Sequence, residues 1–569
     1  MRSLLSAILV MALAACDDQP KTKTVPAPAE RRLAEHGAEF KPEVIRIAEG
    51  LWVAVGYGLA NSILIEGSDG AVVVDAMESG EAARRVKAEF AKLTPKPIRA
   101  VILTHYHPDH SFGARVMAEG GATIIANRHT ETEMNEALDV VAPAMFARNL
   151  RQFGVLLPPD LHANAGIGPF LDYRHGQSEL ALARPTRIVD GEEEMTIAGI
   201  RLRIVHAPGE TEDQMFVWLP ERRALLPGDN LYKAFPNLYA IRGTRYRDVA
   251  KWIASLDRMR DLEPEFLVPS HTRPVIGRAA AAETLTAYRD AIQFVHDQTI
   301  RLMNKGFGPD EIATRLVLPQ HLAAHPHLQE FYGKVEWSAR AIFHGLLGWF
   351  DGNPARLYPL APAERAMRLA DLAKGGVGLD RAAEAALAAG DLRWAAELAA
   401  ADLANRPDAA EAKQRLARVL RAQAAAETSA NGRNYLLTGA LELEGALRVA
   451  PLDPKLTPVA ILHDYPIDSF MRAMAVRLDA DKALAIDAAI QFRFTDLGRD
   501  YGVHVRRGVA EIRPGAPRRA PALRIAVDSN LWKEIAAGQR SLPAALATGR
   551  VAVEGSLIEL VQLLALFRG

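Results

Sequence analysis

The sequence predicts three successive units: a layered α/β domain over residues 41–280, an all-helical region over 281–430 and a small α+β domain over 440–569. Three observations carry that reading. β-Branched segments broken by Gly and Asp-Gly turns alternate with helical stretches in the first unit. Alanine-rich helical periodicity replaces them in the second, and strand-like runs return in the third. A chain of 569 residues also exceeds one ordinary hydrophobic core. With 49% hydrophobic and 24% charged residues it has the balance of a globular protein, not of a disordered one. Lys+Arg 68 against Asp+Glu 69 leaves a net charge of -1, so no global basic field points to nucleic acid. No apolar run approaches the roughly twenty residues of a membrane span, which excludes a polytopic membrane protein. One cysteine excludes a disulfide framework and any Cys-based structural zinc site.

That cysteine has a telling place. The chain opens MRSLLSAILVMALAACDDQP, with Arg2 as a positive start and an apolar stretch from Leu4 to Ala15 too short to span a bilayer. Leu13-Ala14-Ala15-Cys16 resembles the lipobox of bacterial lipoproteins, in which the Cys becomes the lipidated first residue. Residues 1–16 are therefore expected to be an export signal and 17–40 a tether, with Pro20, Pro26 and Pro28 in it. The expected location is exported, periplasmic or outer-envelope, with the lipid at Cys16 as the sole membrane contact. An ordinary secretory signal with an incidental Cys16 is the alternative.

The elements follow in order. LWVAVGYG and NSILIEGSDGAVVVDA (51–76) read as a hairpin meander. Glu81 to Leu93 reads as a helix, and IRAVILT (98–104) as a buried strand running into a histidine-rich turn. ATIIAN (122–127) is a short strand, MTIAGIRLRIVHAP and MFVWLP repeat the hairpin style, and ALLPGDN and EFLVPSH are further buried strands. Strands that alternate with helices and end in polar residues place the site at the strand ends. After Ala279 the chain is helical. The stretch AAEAALAAGDLRWAAELAAADLANRPDAAEAKQRLARVLRAQ resembles tetratricopeptide hairpins, with Gly390-Asp391 and Arg406-Pro407-Asp408 as turns, or else a plain bundle. AIQFRFTDLG, YGVHVRRGVAEIRPG and APALRIAVDS then suggest a strand meander, closed by a strand and an apolar helix.

The chemistry concentrates in Thr104-His105-Tyr106-His107-Pro108-Asp109-His110. A buried strand delivers four metal-ligating side chains within six residues. His105 and His107 project from one side, while Asp109 and His110 can turn toward a second point. Imidazoles plus a third ligand suit zinc with an open position, as hydrolysis requires. A lone His-x-His is a weak signal, but the whole HxHxDH at a strand end is a strong one.

This segment resembles the metallo-β-lactamase superfamily, from about Val44 to Gly277, which implies an αββα sandwich. The resemblance supplies the remaining ligands at three later strand ends: Glu210 where the fold usually has a His, Asp229 as the carboxylate bridging two metals, and His271. It implies two zinc ions per chain held by His105, His107, Asp109, His110, Glu210, Asp229 and His271, with Asp109 and Asp229 as the catalytic carboxylates. Two such ions ~3.5–4 Å apart can share a hydroxide. A carboxylate at the Glu210 position narrows the resemblance to the alkyl sulfatases of that superfamily. Asn237-Leu238-Tyr239-Ala240-Ile241-Arg242-Gly243 looks like their sulfate-binding segment, with Asn237 and Arg242 as anion ligands. Residues 318–354 resemble their dimerisation domain, implying a homodimer, and the C-terminal part resembles a sterol-carrier-like domain.

The sequence also departs from those relatives. They carry a Thr-Glu pair after the Pro-Gly, whereas the order here is Glu210-Thr211-Glu212, so Glu212 in a shifted register and then Asp213 are alternatives to Glu210. Asp229 stands where they have Glu, and Pro236 precedes Asn237 where they have a His. The resemblance implies hydrolysis of a small amphiphilic sulfate ester to alcohol and sulfate by a metal-bound hydroxide. Arg242 suits the anion because a guanidinium binds it bidentately, which Lys does not. FARNLRQFGVLLPP (146–159) is the candidate lining for an apolar tail. His321, His325 and His327 are expected to pack at an interface, His206 to pack beside the site, and Trp337, Trp349 and Phe350 to be core or dimer anchors. The rival readings are another hydrolase of this fold (lactamase, lactonase or phosphodiesterase) and a lipid-binding protein with an inactive hydrolase domain.

Overall fold

The computed structural model describes residues 29–137, 140–173 and 177–567. The expected signal, Cys16 and the tether up to residue 28 lie outside the described residues. The rest of the expected tether is folded. Ala29–His36 is a helix and Gly37–Phe40 a short 3-10 turn. Leu33 is fully buried, the His36 ring stacks on Phe331 with centroids 4.0 Å apart, and Asn164 Nδ2 donates to the Leu33 carbonyl at 2.8 Å. One apolar face at helical spacing is enough to pull this segment onto the body, which corrects the expectation of a free tether over 29–40.

The first domain holds two sheets. Seven strands, β1 (Glu43–Ala48), β2 (Leu51–Val55), β3 (Ser62–Glu66), β4 (Ala71–Val74), β5 (Ile98–Ile102), β6 (Thr123–Asn127) and β7 (Arg187–Val189), are ordered as in the chain. The second sheet runs from β8 (Glu192–Ile197) through β9 (Ile200–His206), β10 (Met215–Leu219), β11 (Ala224–Leu226) and β12 (Phe266–Leu267) to β13 (Val275–Ile276). Strand periodicity sorts the side chains. Val53, Ile63, Ile65, Val72 and Val74 meet Leu202, Ile204, Met215 and Val217 between the sheets. The alternate residues Ala54, Leu64 and Val73 face outward onto Val86 and Phe90 of the helix Gly80–Ala91. Phe216 and Trp218 pack on the outer helices Val249–Asp261 and Arg278–Met303. Because both faces of β4, β5 and β10 are covered, these strands read as unbroken apolar runs. The result is the expected αββα sandwich.

Topology brings the strand ends together. β4, β5 and β6 are parallel, so they finish at one edge of their sheet, and β11 and β12 are parallel in the other. The polar turns after these strands, and the loop after β9, meet over the layer between the sheets.

Helices continue past the expected boundary at 430, to the end of Ala430–Leu443. The Ala-rich hairpins pair as anticipated: Gly390 turns the chain at φ +77°, and the Asp391 side chain caps the following helix, Leu392–Asn405. The last domain is a five-stranded sheet, β16 (Val509–Pro514), β15 (Arg499–Arg506), β14 (Asp487–Phe494), β17 (Leu523–Val527) and β18 (Val551–Glu554) in spatial order. Phe492, Phe494 and Trp532 fill its core. The closing helix Leu557–Ala565 buries Leu560 and Leu563 there.

Candidate metal centre

The turn after β5 is held before it is functional. Thr104 donates from its backbone N to Asp75 Oδ1 at 2.9 Å and from Oγ1 to Asp75 Oδ2 at 3.0 Å. Pro108 starts a short helix, Pro108–Ser111, whose last hydroxyl donates to the carbonyls of Tyr106 (3.1 Å) and His107 (2.9 Å). Four side chains thereby point into the gap between the sheets. The loop after β9 is pinned from the opposite side: Glu210 N donates to Asn230 Oδ1 (3.2 Å), and Asn230 Nδ2 donates to the Ala207 carbonyl (2.7 Å). Gly209 is required there, since an added Cβ would lie 2.1 Å from Asn230 Oδ1.

All seven candidate ligands are buried. His105, His107, Glu210 and Asp229 present ligand atoms within 4.8 Å of one another, and Asp109, His110 and His271 form a second such set. Asp229 Oδ2 stands 3.8 Å from His105 Nε2, 3.4 Å from His110 Nε2 and 3.2 Å from His271 Nε2, so it faces both sets. His105 Nε2 and His107 Nδ1 converge to 2.8 Å. Burial holds both imidazoles well below their ordinary pKa, with His110 adding to the effect at His105 and Arg242 at His107; the neutral ring is the ligating form. Burial also opposes charge on His110, yet Asp229, Asp109 and Asp75 outweigh it and push that pKa well up. Glu210 is raised to about 7, by burial first and against the pull of Arg247. Glu210 Oε2 and Asp229 Oδ1 are buried without a hydrogen-bond partner among the described residues. A pocket this rich in carboxylates, with orphaned oxygens and the neutral imidazoles of His105 and His107, fits divalent cations with nitrogen and oxygen ligands.

The loop's other two carboxylates go elsewhere. Glu212 is part-exposed on Lys251 at 2.7 Å. Asp213 accepts from Thr130 and Thr211, each at 2.7 Å. Glu210 is the one brought to His105 and His107.

Of the expected anion ligands, Arg242 reaches the site directly, with Nη2 3.2 Å from His107 Nε2. Asn237 is fully buried, neither polar atom of its amide has a partner among the described residues, and its backbone N donates to the Tyr232 hydroxyl at 2.8 Å. A cavity of about 350 Å³ opens over this floor of His107, Asp109, Glu210, Asp229 and Arg242. Phe146, Asn149 and Phe153 of the anticipated apolar segment line it, as do Tyr332 and, from the far end of the chain, Ile461, Leu462, Tyr465 and Phe470.

Four participants escaped the sequence reading: Asp75, Asn230, Arg247 and the 452–473 wall. Asp75 carried a signal, an acid closing the apolar run Val72-Val73-Val74; the others carried none without the fold. Of the other histidines singled out, His321 is exposed and three are engaged outside the metal sets. His206 Nε2 lies 2.7 Å from the Glu212 carbonyl, His325 Nε2 2.8 Å from Glu283 and His327 Nδ1 3.1 Å from Thr284 Oγ1, all within the protomer. Trp349 is 67% exposed against Phe350, and Trp337 lies under Lys334.

Comparison with known proteins agrees along most of the chain. Family models match as the metallo-beta-lactamase superfamily over residues 55–271, alkyl sulfatase dimerisation over 308–446 and alkyl sulfatase C-terminal over 455–568. A linear primary-alkylsulfatase of a Pseudomonas species is 35% identical, over 89% of this chain and 98% of that one. An (R)-specific secondary-alkylsulfatase, also from Pseudomonas, is 30% identical over 89% and 78%. The solved structure of the stereoselective inverting sec-alkylsulfatase Pisa1 from Pseudomonas superposes with a TM-score of 0.84 at 27% identity, covering 95% of this chain and 86% of that one.

Proposed function

The chain belongs to the alkylsulfatases of the metallo-β-lactamase superfamily, and from that premise we propose that it binds two zinc ions and splits sulfate from an aliphatic alcohol. The observation that carries the reading is the position of Arg242, a guanidinium 3.2 Å from a histidine of the first metal set, on the floor of an apolar cavity. A sulfate ester needs that pairing: a forked cation for its head and a dry wall for its tail.

His105, His107, Glu210 and Asp229 would hold one ion, and Asp109, His110, His271 and Asp229 the other. Bound there, the pair supplies a water acidic enough to react near neutral pH. The chain's own groups do the rest. Arg242 binds the sulfate oxygens and Asn237 donates its free amide N–H to them. Phe146, Phe153, Ile461 and Phe470 take the alkyl tail and exclude bulk water. Asp75 would hold a proton on His110 Nδ1 and so leave Nε2 as the atom turned toward the ion.

The family's dimerisation segment favours a homodimer, and its outward apolar residues Trp349, Tyr358 and Leu372 are the surface we assign to it. Export with a lipid on Cys16 is part of the same proposal, resting on the N-terminal sequence alone.

Sulfate release from alkyl sulfates of increasing chain length tests the reading. Release should rise with tail length until the cavity is filled and fall steeply in Arg242→Lys. No sulfate from any chain length, alongside hydrolysis of a lactam, lactone or phosphodiester, would reject it.

A further inference from the structure

We propose that Arg247 is the positioning residue that lets a glutamate serve at the Glu210 position and couples this ligand to the sulfate-binding segment. The inference rests on the metal-centre reading above. Arg247 and Glu210 are each 4% exposed, and Arg247 Nη1 stands 2.7 Å from Glu210 Oε1. The same nitrogen donates to the backbone carbonyl of Asn237 at 2.5 Å. One guanidinium therefore touches the third ligand of the first metal set and the residue assigned to grip sulfate.

Two consequences follow from this contact. Arg247 fixes Oε1, the oxygen that also faces His107 Nδ1 at 4.0 Å, while Oε2 is buried and has no hydrogen-bond partner among the described residues. The carboxylate is thus held in one orientation against the first metal set. Charge is the second consequence. Where the fold usually has a neutral histidine, a glutamate adds one negative charge, and the buried guanidinium cancels it at contact distance. The pair counts as a neutral ligand.

The mount is rigid. Arg247 directly precedes Asp248, whose side chain caps the helix Val249–Asp261. Trp252 in that helix donates from Nε1 to the Asn230 carbonyl at 3.0 Å, and Asn230 in turn holds the Glu210 loop. A lysine at 247 could supply the charge, but its point-like ammonium lacks the fixed fork that meets both acceptors at once.

The test measures zinc affinity of the full chain by competition with a chelating dye, without substrate, and separately kcat, KM and inhibition by inorganic sulfate. Arg247→Met should weaken zinc binding about 10- to 100-fold, the cost of losing a partner that orients a ligand. In a Glu210→His background the same substitution should change zinc affinity less than about twofold, because no ligand charge is left to cancel. Arg247→Lys should keep zinc but raise KM and the sulfate inhibition constant about tenfold, with kcat less affected, for one lost charge-assisted bond to Asn237. Wild-type zinc affinity in Arg247→Met, or an equal loss in the Glu210→His background, overturns the proposal. Should Arg247→Met not fold, Arg247→Lys decides: unchanged KM and unchanged sulfate inhibition overturn it. Failure of the sulfatase reading would show differently, as absence of sulfate release by the unsubstituted enzyme whatever its zinc affinity.

Discussion

The Asp75 carboxylate accepts the Nδ1–H of His110 at 2.8 Å, and neither side chain is exposed to solvent. The same carboxylate accepts from Ser270 Oγ at 2.6 Å and from Thr104 through both N and Oγ1. One acid therefore joins the ends of β4, β5 and β12, two of which carry ligands. Its backbone sits at φ +62°, an uncommon conformation for a non-glycine residue and a local cost on the order of 1 kcal/mol. Asp75→Asn should weaken metal binding at the Asp109–His110–His271 set by about 10- to 100-fold while leaving the fold intact. Metal titration alongside circular dichroism checks this; undiminished affinity would show that Asp75 only braces the strands.

Metal content is the second expectation. The two ligand sets should retain about two zinc ions per chain after purification, and prolonged chelation should abolish activity. Elemental analysis that finds no metal in an active enzyme would refute the assignment.

The register of the 209–213 loop gives a third. Glu210→Gln should lose metal from the first set and most activity. Glu212→Gln should cost little, because its partner Lys251 is a surface contact worth roughly 0–1 kcal/mol. The reverse order of effects in metal content would mean that Glu212 is the ligand.

Asp213 yields a pH dependence. Burial raises its carboxyl from 3.8 to about 7, against hydrogen bonds from Thr211 and Thr130. The native state thus holds a proton that the unfolded chain has already released between those two values. Stability from this group is full below the unfolded pKa and is lost as pH rises through about 7. Asp213→Asn removes the titration, so its melting temperature relative to the wild type should climb from pH 5 to pH 8, with metal content unchanged. A difference that stays flat with pH would contradict the burial argument.

The bond that breaks is the fifth expectation. If Arg242 and Asn237 hold sulfate as proposed, charge developing on the leaving group is where their stabilisation acts. Water should then attack carbon, the C–O bond should break, and sulfate should leave with the electron pair. Hydrolysis in oxygen-18 water should put the label in the alcohol; label found only in sulfate would mean that water attacks sulfur.

Most of the strand and helix pattern was legible because each buried strand alternates between two apolar environments and each outer helix has one apolar face, as Val53, Ala54 and Val86 illustrate. The segment 29–40 was misread since its composition matches a linker, and only docking of Leu33 and His36 reveals a helix. The helical run to Leu443 overshot its expected end at 430 because Ser429 caps a further helix there, accepting from Gly432 N.

Local sequence by itself pointed to the first four candidate ligands, and the resemblance to a known superfamily supplied Glu210, Asp229 and His271. Close spacing on one turn forces His105, His107, Asp109 and His110 to share a neighbourhood, whereas nothing local ties Glu210, Asp229 and His271 to them. Sequence could not choose among Glu210, Glu212 and Asp213, since neighbours along a loop differ only in direction. The tertiary structure separates the three: the loop is pinned to Asn230, Glu210 is drawn inward to Arg247 beside His105 and His107, and Lys251 and Thr130 hold the other two. Asp75, Arg247 and the Ile461–Phe470 wall belong to the same class. Their partners lie 35, 37 and hundreds of positions away along the chain, and such contacts exist only once parallel strand ends and a later domain have closed over one buried space.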